Sequence, residues 1–221
     1  MHDDNQLTGT QTEFQRGTIL VSKTTPTGVI IYANPDFCDV AGFELSELLG
    51  KPHNMIRHPD MPRAGFSLMW ETLKSGREFF GYIVNRCADG NHYWVFAQVV
   101  PDVDPDTGET VSYHSTRRWA DPQGCARAVE VYRQLSEAES MERSPRAAVL
   151  AGRRALQDIL TRTRMSSPSP NAPPRPPTRT SPMSTRSRAS TTSSRRPPRV
   201  DCPVVSSMFP RMIRSTVRAA A

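Results

Sequence analysis

Lysine occurs only three times in this chain of 221 residues, and cysteine four times. The cysteines are Cys38, Cys87, Cys125 and Cys202, and none forms a CxxC pair. That spacing excludes a disulfide framework and a cysteine-based zinc site. It leaves isolated thiols in a reducing compartment, with Cys38 and Cys87 expected to be buried. No apolar run approaches the roughly 18–20 residues that a membrane span needs. Residues 1–17 are polar and make no signal peptide. These absences together predict a soluble, cytoplasmic chain.

What is present is unevenly distributed. Up to residue 165 there are 18 basic and 21 acidic residues, a balance of −3. From residue 166 on there are 10 basic residues and 1 acid, a balance of +9. The net charge of +6 therefore belongs to the C-terminal segment, and nucleic acid is not expected as a partner of the folded part. Residues 166–199 hold nine prolines and seven arginines, with Ser and Thr between them. Such a composition buries no core and predicts disorder. Three readings stay open for it: a solvated linker, a basic interaction tail for polyanions, or an off-frame continuation. Scarce lysine and abundant arginine fit a GC-rich gene, and we read the change near Met165 as a truncation or frameshift.

Residues 1–16 lack apolar periodicity and are expected to be a flexible leader. TILVSK and VIIYAN are β-rich runs joined by TTPTG, a hairpin signal. Asn34 then reads as a helix cap with Pro35 at the first helical position, and Phe37, Val40 and Ala41 on one face. Ser46 is expected to cap the short turn SELLG. Arg63–Ser75 is an amphipathic helix with Phe66, Met69, Trp70 and Leu73 at i, i+3, i+4 and i+7, stopped by Gly76. EFFGYIVNRC, NHYWVFAQVVPDVD and ETVSYHSTRRW are three strands with turns at ADGN and DPDTG. Asp121 caps a further helix to Ser140, expected to leave the domain as a connector. The order predicts an α+β fold: a five-stranded antiparallel sheet with helices on one face, then a helix and a disordered tail. A cavity between sheet and helices is the natural ligand site. The expected boundaries are 17–120 for the domain, 121–164 for the helical connector and 165–221 for the tail.

PHNMIRHPDMP, MWETLKSG and NRCADGNHYWV, in this order of elements, resemble a PAS domain. Within that superfamily the chain is similar to the flavin-binding sensor domain of bacterial aerotaxis receptors, over about residues 16–120. The resemblance implies non-covalent FAD, a redox, oxygen or energy sensor for aerotaxis and chemotaxis signal transduction, and no enzymatic activity. It ties Asn34, Arg57, His58, Asp60, Trp70 and Asn85 to the flavin pocket, with His53 in the same motif. It also implies a homodimer or contacts with other receptor domains. Chemotaxis signalling proteins are expected as partners only in a full-length receptor, whose relatives are anchored to the inner membrane.

The residues carry their own chemistry beside that resemblance. His58 precedes Pro59 and is held extended, so Arg57 and His58 can project into a groove. An arginine fork suits the pyrophosphate of FAD; the alternative is a solvated basic loop with Asp60 as counter-ion and helix cap. Trp70 either stacks on a flat ring or packs in the core. Phe66 is core or pocket wall. Asn85 must find partners if it faces a cavity, and an amide can rotate to answer a changed protonation state at the flavin edge. Asn34 grips the same ring or simply caps its helix. His53, His58, His92 and His114 match no zinc spacing. Haem or another small ligand in the same fold, and a basic-tailed interaction protein, are the competing readings.

Overall fold

The computed structural model describes residues 7–166 of the chain. β1 (Ile19–Thr24) and β2 (Ile30–Ala33) form the first hairpin, and Gly28 at φ 84° closes its turn. A left-handed backbone of that kind favours glycine. α1 (Pro35–Ala41) begins at the Asn34 cap and ends at Gly42 with φ 71°. α2 (Leu45–Leu48) is capped by Glu44, whose N–H donates to Glu47 at 2.9 Å. The capping box thus starts two residues before Ser46, the expected cap. A 3₁₀ turn at His53–Ile56 follows, and then α3 (Arg63–Lys74). β3 (Phe79–Arg86), β4 (His92–Val103) and β5 (Thr110–Trp119) complete the sheet.

The sheet runs β2-β1-β5-β4-β3 with every neighbouring pair antiparallel. Side chains alternate between its faces. Register pairs Ser22 with Ser115 and Ile83 with Val95, which puts these four side chains on one face. Leu20, Ile30, Phe37, Leu48 and Ile56 are buried on that side, under α1–α3.

The opposite face is not bare. α4 (Pro122–Ser140) starts there, capped by Asp121, which accepts from Gly124 N at 2.7 Å. The Tyr82 hydroxyl donates to the other Asp121 oxygen at 2.5 Å, and the Tyr132 hydroxyl donates to the Tyr82 carbonyl. Tyr132 stacks on Trp94 with ring centroids 6.3 Å apart. Helices therefore touch both sheet faces, where the sequence suggests one.

α4 also does not lead away. Its far end reaches α3, where the Glu139 carboxylate accepts from Arg63 N at 3.0 Å and Ala64 N at 2.8 Å. Those are orphan donors of the α3 N-terminus. Asp60, the cap suggested by sequence, makes no such bond; the N-cap position is Pro62. α5 (Pro145–Ser166) folds back along α4 and onto α3, with Arg153 against Glu71 at 2.5 Å. Leu135 of α4 is only 1% exposed. Burying such a side chain is worth about 1.5–3 kcal/mol.

The N-terminal segment is likewise tied down from residue 8. Thr8 N donates to Gly90 O at 3.0 Å, Thr12 N to His92 O at 2.7 Å, and Phe14 meets Tyr93 edge-on. Residues 1–6 of the expected leader, and residues 167–221 of the expected tail, lie outside the described residues. Among the described residues no helix is long and apolar enough to cross a membrane. Cys87 is buried as expected, whereas Cys38 is only partly buried.

Candidate functional site

Between the sheet and α3 lies a cavity of about 260 Å³. Its apolar walls are Phe66, Met69, Trp70 and Leu73 from α3, and Ile83 and Val99 from the sheet. The helical spacing read from sequence is what aims those four α3 side chains the same way. Trp70 meets Tyr113 edge-on at 5.4 Å, and a Cβ at Gly28 would sit 3.6 Å from its ring. The β1–β2 turn thus rests against Trp70.

The polar lining is unusual. Arg117 is 4% exposed, and no carboxylate pairs with it among the described residues. Its Nη1 donates to Ser22 Oγ at 3.0 Å, and its Nη2 lies 2.8 Å from His53 Nε2. Burial lowers its pKa to about 10. Burial, with Arg117 adding to it, lowers the pKa of His53 to about 3. The imidazole is therefore neutral and its bare Nε2 accepts from the guanidinium.

Asn85 is 3% exposed and lines the same cavity, yet its Nδ2 finds no hydrogen-bond partner among the described residues. The Ser115 hydroxyl is in the same position. Buried polar groups without partners cost about 1–3 kcal/mol each. Two of them, beside a buried cation, make a surface that a polar-edged ligand can complete.

The HPDMP lip closes the mouth differently from expectation. The backbone of Arg57 bridges to that of Asn85, so the lip is fastened to β3 at the residue carrying the orphan amide. The Arg57 guanidinium lies 4.7 Å over the Phe66 ring, and its Nη2 donates to Met61 O at 2.6 Å. Burial and the nearby Arg63 lower its pKa, against the pull of Glu139.

His53, Arg57, Phe66, Trp70 and Asn85 are thus brought together around the cavity. Three expected residues are not. Asn34 uses its whole amide locally: Oδ1 accepts from Val21 N at 2.8 Å and Phe37 N at 3.1 Å, and Nδ2 donates to Ile19 O at 2.8 Å. It caps α1 and ties it to β1, away from the cavity. His58 is buried beside His92, with ring centroids 5.6 Å apart, and its Nδ1 accepts from Asp60 N at 3.2 Å. The Asp60 side chain is 82% exposed. Pro59 turns this pair off the cavity wall. Sequence reasoning missed Arg117, Ser115 and Ser22. The signal was there: in ETVSYHSTRRW, Tyr113, Ser115 and Arg117 alternate onto one face.

Residues 30–117 match the family described as PAS fold. They are a PAS domain. It is of the aerotaxis-receptor type: the chain is 39% identical over 144 residues to the aerotaxis receptor of Escherichia coli (strain K12), covering 65% of this chain and 28% of that protein. It is 31% identical over 107 residues to the nitrogen fixation regulatory protein of Klebsiella oxytoca, covering 48% of this chain and 21% of that one. A solved light-oxygen-voltage domain, described with a flavin analogue, aligns at 20% identity and a TM-score of 0.44, over 55% of this chain and 87% of that chain. The chain spans well under half the length of the two curated relatives.

Proposed function

We propose that the PAS domain binds a flavin, FAD, and reports redox, oxygen or energy state as the sensor of an aerotaxis or chemotaxis signalling receptor. The observation that carries this reading is the polar inventory of the cavity: the Asn85 Nδ2 and the Ser115 hydroxyl, neither with a partner at hydrogen-bond distance among the described residues, beside Arg117, which has no carboxylate partner there. The largely apolar space between α3 and the sheet suits an aromatic ring system, with Trp70 and Phe66 on its wall. A flavin's edge offers carbonyl acceptors and ring N–H donors to an amide and a hydroxyl. The Arg117 charge favours a ligand that gains negative charge. Bound flavin would supply reversible electron uptake; the protein's part is to hold the ring, exclude water and feel its changed edge. The sequence similarity to the aerotaxis receptor supports the same reading.

In this reading the domain senses and does not catalyse. It works in the cytoplasm, as a homodimer or against other receptor domains. Haem fares less well: His53 is the histidine that lines the cavity, and its Nε2 faces the Arg117 guanidinium. An axial ligand needs that lone pair free. The test is titration of flavin-stripped protein with FAD, followed by quenching of flavin fluorescence. Saturable one-to-one quenching that Asn85→Ala weakens is expected. Quenching that Asn85→Ala leaves untouched means the ring sits elsewhere.

A further inference from the structure

We propose that a second chamber, outside the lip, seats the phosphate-bearing half of the flavin dinucleotide and is held by Arg63 and Arg143. This rests on the flavin reading of the inner cavity. The inner volume of about 260 Å³ is below the usual range for drug-sized ligands, about 300–1,000 Å³. It has room for a ring system and not for a whole dinucleotide. The remainder must leave through the mouth.

A second cleft of about 410 Å³ lies between the HPDMP lip and the α4–α5 turn. Arg57 lines both chambers and is the partition between them. The cleft is charged where the inner cavity is mainly apolar. Arg63 and Arg143 stand in its wall, exposed, with no carboxylate paired to either among the described residues. Its acids are Glu139 and Glu142. Glu139 is occupied, because its carboxylate accepts from Arg63 N and Ala64 N. Glu139 keeps its negative charge in that role, so the lining holds three guanidinium groups, Arg57 included, against two carboxylates, a surplus of one positive charge, and Glu142 is the acid not engaged by backbone N–H groups. A diphosphate carries about two negative charges, and arginine forks pair with its oxygens. Because Arg143 sits in the turn between α4 and α5, while Arg57 belongs to the lip and Arg63 to α3, a dinucleotide spanning them also clamps the helical hairpin onto the domain.

The flavin-stripped chain of 221 residues should be titrated with FAD, FMN and riboflavin, as wild type, Arg63→Gln and Arg143→Gln. Wild type is expected to prefer FAD over riboflavin by about tenfold or more, and each substitution to lower FAD affinity by about tenfold, the scale of one charge-assisted bond. Riboflavin affinity and the melting temperature should stay as in wild type, since both arginines are exposed. The FAD affinity of wild type should also fall more steeply with salt than that of either variant. Equal wild-type affinity for FAD and riboflavin overturns this inference alone. So does an unchanged FAD preference in both variants, or an equal loss for riboflavin. Failure of all three flavins to bind overturns the flavin reading, and this inference with it.

Discussion

Arg117 Nη2 lies 2.8 Å from His53 Nε2 inside the PAS cavity, so a buried cation is solvated by an uncharged imidazole and not by a carboxylate. The arrangement keeps a net positive charge under the ligand space. It also makes protonation of His53 costly, because a second positive charge would stand against the first.

That pair predicts an acid limb of stability. The folded pKa of His53 is depressed to about 3 from an ordinary 6.5. The unfolded state binds the proton first, so stability present above about pH 6.5 is lost as pH falls towards 3. The slope for one proton is at most about 1.4 kcal/mol per pH unit. His58, also lowered by burial, adds to the same limb. Melting temperatures across pH 4–8 should fall on the acid side in wild type. Arg117→Met removes the nearby charge, and the His53 imidazole NMR titration should shift to higher pH. An unshifted titration would show that burial alone sets it.

Asn34 and Asn85 separate the two roles an asparagine takes here. Asn34→Ala removes a helix cap and two ties to β1, at about 1–2 kcal/mol, and should lower the melting temperature without changing FAD affinity beyond that. Asn85→Ala should do the reverse, costing about 1–3 kcal/mol of FAD binding. Urea denaturation of the flavin-free proteins, beside FAD titrations, distinguishes them. Matching losses in both assays for both variants would contradict the assignment.

Gly124 is a point of close approach between α4 and the sheet. A Cβ there would lie 2.1 Å from the Tyr82 hydroxyl oxygen. Gly124→Ala should therefore break the Tyr82–Asp121 bond and cost about 1–3 kcal/mol, as overpacking does. Hydrogen exchange should rise along residues 122–140. Wild-type protection in the variant would mean that Tyr82 moves aside at no cost.

The strands and most helices were legible because each follows a local rule. Asn34–Pro35 opens α1, Asp121–Pro122 opens α4, and the i, i+3, i+4, i+7 apolar set of α3 faces the cavity. The lip was harder. Sequence identified its charge but not its direction: Arg57 lies over Phe66 while His58 turns to His92. The first depends on how α3 is turned after the lip, and the second on a strand residue much farther along the chain. Arg117 gives no local signal of its own, because a buried arginine without an acid partner is rare. Glu139 capping α3 from 75 residues away has no local signature at all. The return of α5 onto α3 likewise depends on contacts such as Arg153–Glu71 that no periodicity encodes.

The visible absorption spectrum of the purified protein, followed by denaturation and identification of what is released, tests the central claim most directly. The account predicts a yellow protein with the two bands of an oxidised flavin, which bleach on reduction, and release of FAD. A colourless protein that takes up no added FAD, or one with the single intense band of a haem, would contradict it.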